Sequence, residues 1–489
     1  MGVGWVRDKC PLAWENAGCR NPFLAEPEGT FIVKSVSQLS RRFRVVFDDD
    51  KVVPNAGLVI PLRLADTLGF RKAINQRVRG CDQRRHRNSG DKALTLVAML
   101  AAGGEFISDI DVLTAGSTLA RLGHRWWSQS RLGEWLRSLD DTDIAGFADA
   151  STEVTDTAWS AGYGPDLSAA SVTDPVIVDV DSTFTETHGR FKDGTDRRNY
   201  QGLHGYYPLL AVEASTGQVI SANLRKGNAT MDGVAAFTHD TLERSRRLAG
   251  NDTALMLRAD SGFYVRDLFD TCVAHDVRFS VTVRQYAAVR DLITDIPNDQ
   301  WQPINTNDPT SRDRIDIAAV PFEIKGRWDK NHTRGPIRCR LIVRRSTTPT
   351  DTGHPQMRLF DLVDHHAFVT DQPGDPETLW RRHNHRAVIE TTFRDLKHGL
   401  GLNHYPSGSF TANAAWLHLN ALTHNLLRAT NKLITPTPMT TKTIRYRYLT
   451  IPGRITTGSR TTTLHLPTNW PHQHHITTAL TTNTNHNTT

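Results

Sequence analysis

His383, Arg386, Glu390 and Lys397 follow one another at intervals of three, four and seven residues. At about 100° per residue, a single helix would hold these four side chains within roughly 60° of one another. Ile389, Phe393, Leu396 and Leu400 fall on the adjacent arc. Such a helix packs by an apolar stripe and presents a polar row beside it. An acid flanked by cations on one face can hold a metal ion next to a phosphate backbone. The simpler alternative is a surface helix with an Arg386–Glu390 pair at i,i+4. Two further acidic segments favour the chemical reading. In Pro175-Val-Ile-Val-Asp-Val-Asp-Ser-Thr-Phe184, Asp179 and Asp181 share one face of a β-branched run and lead into Ser182-Thr183. Asp260 ends the apolar run Leu255 to Ala259 and precedes Ser261-Gly262-Phe263. Reactive groups in open α/β sheets gather outside the carboxyl ends of strands. Carboxylates converging there suit Mg²⁺, and two such ions about 3.5–4 Å apart can activate a nucleophile and stabilise the leaving oxygen of a phosphodiester. Acids after strands also cap the next helix, and for Asp260 that alternative is sufficient alone. Glycoside hydrolysis by two acids would leave the Arg and Lys around Glu390 unexplained.

These residues need a scaffold, and the chain has the length and apolar content for one. Its 489 residues, 38% hydrophobic with 11 Trp and 18 Phe, exceed a single simple domain;. Residues 1–60 read as mixed, with strand-like Thr30–Lys34 and Phe43–Phe47. Leu62–Ile74, Lys92–Ala102 and Leu132–Leu139 read as helices, so 1–150 is a mostly helical N-terminal domain. Its cluster of Arg71, Lys72, Arg77, Arg79, Arg84, Arg85 and Arg87 suits DNA or a solvated face equally. Residues 151–173, rich in Gly, Ser, Ala, Thr and Asp, read as a linker. From 174 to 285 the order is strand, hairpin across Ser215-Thr216-Gly217, helix, strand, helix, strand, which makes a mixed α/β sheet. Turn formers between short alternating strands mark 286–375 as a β-rich insertion. The α/β unit resumes over 376–432 with a long helix 376–400 and an apolar helix 411–430. The segment 433–489, rich in Thr, Asn and His, reads as partly disordered, with a short ordered stretch around Tyr446–Pro467.

Charge points to a polyanion. The net charge is +6 with a pI near 9.1, and Asp395 is the last acid, followed by eight Lys or Arg;. No run of about 18 apolar residues exists and the first residues lack the apolar core of a signal peptide, so a cytoplasmic, soluble protein with no membrane partner is expected. Five scattered cysteines without a C-x-x-C imply neither disulfides nor zinc;.

In its three acidic motifs the chain resembles the DDE transposases of bacterial insertion sequences. Asp181-Ser182-Thr183 matches the first signature and Arg258-Ala-Asp260-Ser-Gly-Phe the second. Arg386, Glu390 and Lys397 match the third, Tyr-x2-Arg-x3-Glu-x6-Lys, with His383 at the Tyr position. Tyr200-x-Gly-x-x-Gly205-Tyr, Leu224-Arg-Lys-Gly-Asn228 and Phe410–Trp416 with His424-Asn-Leu-Leu-Arg428 are similar to the IS-thirteen-eighty group, related to the IS-four group. The resemblance spans about residues 55–470. It implies an RNase H-like fold, and Asp181, Asp260 and Glu390 as catalytic metal ligands; Asp179 is the alternative first acid, and the spacing to Thr183 selects Asp181. It also implies two Mg²⁺ ions, for which Mn²⁺ can substitute, and DNA contacts by His383, Arg386 and Lys397. The implied activity is cutting at transposon ends and transfer of the 3′ ends into target DNA, by a homodimer on DNA in the bacterial nucleoid. The rivals are a decayed or repurposed transposase that only binds DNA, and a metal-dependent nuclease on the same fold.

Overall fold

The computed structural model describes residues 31–33, 43–80, 87–115, 124–189, 191–198, 201–230, 233–305, 313–325, 335–348, 362–459 and 461–482. Cys10, Cys19, Cys81, Arg84, Arg85 and Tyr200 lie outside these residues, as do 349–361 of the insertion. The chain forms two compact units, Met1–Asp50 and Lys51–Thr489. In the first, β1 (Phe31–Val33) pairs antiparallel with β2 (Phe43–Val45).

The second unit opens with β3 (Val52–Val53) and then turns helical: α1 (Val59–Thr67), α2 (Phe70–Arg77), α3 (Ser89–Ala102), α4 (Ile110–Thr114), α5 (Gln129–Arg137) and α6 (Asp141–Ala158). A single helix was expected over Leu62–Ile74. Gly69, at φ 70°, instead takes the left-handed conformation that ends α1 and begins α2;. The linker expected from 151 is a correction of another kind, since α6 runs through Ala158. A small residue earlier in α6 serves close packing. A Cβ on Gly146 would stand 2.3 Å from the Arg77 carbonyl oxygen. The helix starts on a capping box in which Asp140 accepts from the Asp143 N–H and Asp143 from the Asp140 N–H;.

The central sheet follows. Its strands are β4 (Val176–Ser182), the antiparallel hairpin β7 (Leu209–Glu213) and β8 (Val219–Asn223), β9 (Leu255–Ala259), β10 (Arg278–Thr282), β11 (Gln302–Ile304), β12 (Arg314–Ile324), β13 (Ile337–Thr348) and β14 (Leu362–Thr370). Before the hairpin, β5 (Thr185–Glu186) pairs with β6 (Gly205–Tyr206). The order is β11-β12-β13-β14-β10-β9-β4-β7-β8. β9 lies parallel to β4 and to β10, whereas β14 is antiparallel to β10. The strands of the β-rich segment therefore continue the central sheet rather than forming a separate one.

Alternation along the strands assigns one apolar set to each face. Val178, Val180, Leu209 and Ala211 pack with Phe237 and Leu242 of α7 (Val234–Ala249) and Leu268 and Phe269 of α8 (Arg266–Ala274). After α9 (Ala287–Thr294) and the long strands come α10 (Pro376–Asn384), α11 (Ala387–Gly399) and α12 (Phe410–Ile434). Ile389, Phe393 and Leu396 of α11 and much of α12 cover the opposite face at Leu210 and Val212, in a core shared with α1, α2, α3, α5 and α6. The helices α1 to α6 and the later helices thus bury one another.

Asn425 of α12 accepts from the Val219 N–H at 2.7 Å and donates to the Val219 carbonyl at 2.8 Å, completing the edge strand β8 with a side-chain amide;. His424 adds a bond to the Gly217 carbonyl at 2.9 Å. Asn413 donates to the Tyr206 hydroxyl at 3.0 Å, joining the start of α12 to β6. A Cβ on Gly227 would lie 2.1 Å from the Gly205 carbonyl oxygen. The motifs quoted around Gly205, Leu224, Phe410 and His424 are therefore packing devices behind β4.

The tail holds α13 (Thr441–Ile444), β15 (Gly453–Thr457), β16 (Thr462–His465) and α14 (Gln473–Thr482). Order was expected only around Tyr446–Pro467, whereas the described residues up to 482 also include α13 and α14. Ile444, Tyr448, Leu449, Ile451, Ile455 and Ile476 enter the main core, and β15 pairs with β3. These few apolar residues are diluted by Thr and Asn, which hides them from composition. Much of the C-terminal positive charge is also spent inside. Arg428 pairs with Asp395 at 3.4 Å, Lys432 donates to the Gly164 carbonyl, and Arg445 donates to the carbonyls of Leu100, Ala101 and Gly399. Among the described residues no single helix is long and apolar enough to cross a membrane.

Candidate active site

Asp179 and Asp181 point to the α11 side of the sheet, opposite Val178 and Val180, but their environments differ. Asp179 is fully buried and forked by Arg258, whose Nε and Nη2 reach its two oxygens at 2.5 and 2.7 Å. Asp181, 22% exposed, accepts from its neighbour's Ser182 N–H at 2.7 Å. The parallel ladder pairs Asp179 with Arg258 and Val180 with Ala259. One residue further along, Asp181 adjoins Asp260 at the two strand ends. Burial, followed by opposition from Arg386 and reinforcement from Asp260, leaves the Asp181 carboxyl pushed up to about 6;. Asp260 caps the turn Ser261–Phe263, accepting from the Gly262 N–H at 2.8 Å. The capping role is thus what forms, and it uses one carboxylate oxygen.

The long helix expected over 376–400 is two. α10 ends at Asn384 and α11 begins at Ala387, with His385 and Arg386 in the break. Asn and His are weak helix formers. In addition, Arg258 captures the carbonyls of Arg382 and His385 that a continuous helix would use internally, the latter at 2.7 Å. This separates His383 from the polar row. His383 is 2% exposed, stacks on Phe368 at 4.0 Å and hydrogen-bonds with Ser280 at 2.8 Å and Thr282 at 3.0 Å. Burial, with Arg386 next, holds its imidazole well below the ordinary value and hence neutral. A DNA contact by His383 does not fit this placement: the break turns its ring into the sheet, where it fastens α10 to β10 and β14.

The remaining three residues of the row stay on one face of α11 and its cap. Arg386 stands 3.5 Å from Asp181 and 3.5 Å from the Val180 carbonyl, and its Nε is buried without a partner. It turns to Asp181 and not to Glu390, so the simple i,i+4 pair is not what forms. Lys397 donates to the Thr183 hydroxyl at 2.6 Å and the Phe184 carbonyl at 2.7 Å, and burial lowers its ammonium below the ordinary value. Glu390 lies between these anchors in the first turn of α11 and is exposed. With Arg386 and Lys397 both on the exit of β4, the helix directs Glu390 to the same side.

The donor set suits a hard divalent cation. Three carboxylates supply oxygen, and a cation would relieve the burial and repulsion that raise Asp181. The ligand oxygens of Asp181, Asp260 and Glu390 are not all drawn within 4.8 Å; among the described residues that spacing occurs at His239, Asp240 and Glu243, all exposed on α7. The sequence reading missed the Asp179–Arg258 pair and the Lys397–Thr183 contact. The adjacency of Arg258 to Asp260 in one motif was the available signal.

Residues 36–487 match the family described as Transposase DDE domain group 1. Among solved structures the chain is similar to the piggyBac transposase of a synaptic complex with hairpin DNA, at 12% identity and a TM-score of 0.40, over 81% of this chain and 80% of that one. No curated protein matches. With the family match running across both strand-end aspartates and the helix of Glu390, the chain belongs to the DDE-domain transposases.

Proposed function

We propose that this transposase cuts DNA phosphodiesters at the ends of an insertion sequence of the IS-thirteen-eighty group and joins the freed 3′ ends to target DNA. The observation that carries the reading is the adjacency of Asp181 and Asp260 at two parallel strand ends, with α11 strapped along β4 by Arg386 and Lys397. Strand order β8-β7-β4-β9-β10, with β7 alone antiparallel to β4 and β8, β9 and β10 parallel to it, supports an RNase H-like core. In this reading, the helices up to about residue 150 contribute DNA contacts and the β-rich segment 286–375 is the insertion of that core.

Asp181, Asp260 and Glu390 would hold two Mg²⁺ or Mn²⁺ ions, which when bound lower the pKa of the attacking hydroxyl and stabilise the leaving oxygen. The chain's own residues do the rest. Asp181 must be deprotonated to serve, and Arg386 keeps a positive charge beside it until a phosphate arrives. Arg386 then suits the phosphate by its planar fork. In cutting, water adds to phosphorus and the 3′ oxygen leaves with a proton; in joining, that 3′ hydroxyl attacks a target phosphate and displaces the target's own 3′ oxygen. Two ends need two sites, hence a homodimer on DNA, acting at the nucleoid.

Incubation with a plasmid carrying the flanking inverted repeats and Mg²⁺ tests the reading, with excision and joined products expected. Cutting without joining would make the protein a nuclease. Binding without either would make it a repurposed transposase. Lys397 retains one N–H beyond its two intramolecular bonds. Lys397→Ala should therefore weaken end binding and reduce the slope of log K against log salt by about one unit. An unchanged slope with slower cutting would assign Lys397 wholly to holding Thr183.

A further inference from the structure

Arg258 stands two residues before Asp260 and directly across the ladder from Asp179, itself two residues before Asp181. Its side chain is 2% exposed and that of Asp179 0%. The guanidinium forks Asp179 on one side and, on the other, donates to the carbonyls of Arg382 and His385. Those two carbonyls belong to the last turn of α10 and to the break before α11. One side chain, rooted on β9 just before Asp260, thus holds the end of α10 and the break that leads into α11. Arg386 follows His385 at once, and Glu390 comes one turn later. A buried ion pair adds little net stability compared with apolar residues of the same volume. What the planar, five-donor guanidinium adds is geometry in four directions at once, which an ammonium does not reproduce.

We propose that Arg258, with Asp179 as its counter-ion, is a positioning residue: it sets the placement of Glu390 against Asp181 and Asp260, and through it the divalent-metal affinity of the site. The inference rests on the reading of these three acids as metal ligands.

The test is Mn²⁺ binding to the full-length, DNA-free protein, followed by the electron paramagnetic resonance signal of free Mn²⁺. Glu390→Gln in the wild-type background should weaken binding about tenfold, and Arg258→Lys by a similar factor. In the double variant the two effects should not multiply, because Glu390 is already displaced; the second substitution should change binding less than about twofold. A purely structural Arg258 would leave the Glu390→Gln effect at full size in the Arg258→Lys background, and that result overturns the proposal. No effect of Glu390→Gln in the wild-type background would overturn the metal-ligand reading itself, and the proposal with it. If Arg258→Lys does not fold, Asp179→Asn/Arg258→Gln removes both buried charges together and takes its place in the cycle, with wild-type Mn²⁺ binding by that variant again overturning the proposal.

Discussion

Asp181→Asn, Asp260→Asn and Glu390→Gln should each slow cutting of end-bearing DNA in Mg²⁺ by about three orders of magnitude or more, while affinity for that DNA changes little. Each substitution removes one oxygen ligand and one negative charge, and several kcal/mol of charge stabilisation corresponds to a factor of that size. Gel-shift and cleavage assays on one preparation separate the two effects. A variant that still cut at the wild-type rate would remove its residue from the site.

Asp181→Asn has a second, opposite consequence. In the metal-free fold its carboxyl is pushed up to about 6, mainly by burial, whereas an unfolded aspartate titrates near 3.9;. The folded state thus holds the proton more tightly, and stability is fully present below about pH 4 and declines as pH rises through 6. Replacement by the neutral amide should raise the Tm by about 1–3 °C at pH 7.5 without metal, and leave it unchanged at pH 4. A lower Tm at pH 7.5 would mean that the Arg386 contact outweighs burial.

Asp179→Ala should be the most destabilising single substitution near the site, costing about 3–5 kcal/mol, because it leaves the Arg258 guanidinium buried without its counter-ion;. Denaturant unfolding measures this, compared with Asp181→Ala two residues away. A cost for Asp179→Ala below about 1 kcal/mol would show that water or the helix-end carbonyls alone satisfy Arg258. The contrast between two acids on one face of one strand is the point. They are equivalent in periodicity and opposite in role.

How much was legible varies by residue. The strands ending in Asp181 and Asp260 were readable, since β-branched runs bounded by turn formers leave little choice. The hairpin around Gly217 was readable for the same reason, as was the helix carrying Glu390. The break at His385 was not. Periodicity extends a helix through any residue that fits the stripe, and only a competing donor from another strand ends this one. His383 accordingly looked like a member of the polar row and is a core residue. The helix through Ala158 and the ordered tail outside 446–467 were missed because small and polar residues read as loop by composition, while the contacts that order the tail come from far along the chain, as the hydrogen bonds of Arg445 to the Leu100 and Ala101 carbonyls illustrate.

Local period and motif spacing singled out three acids and two cations, which we propose as the reacting set, and the strands and helix that bear them. Tertiary structure alone decided which aspartate is partly exposed and which is clamped in the core, that His383 faces inward, and that Arg386 faces Asp181. Those outcomes depend on register across the β4–β9 ladder and on one buried guanidinium, and neither is a property of any segment taken alone.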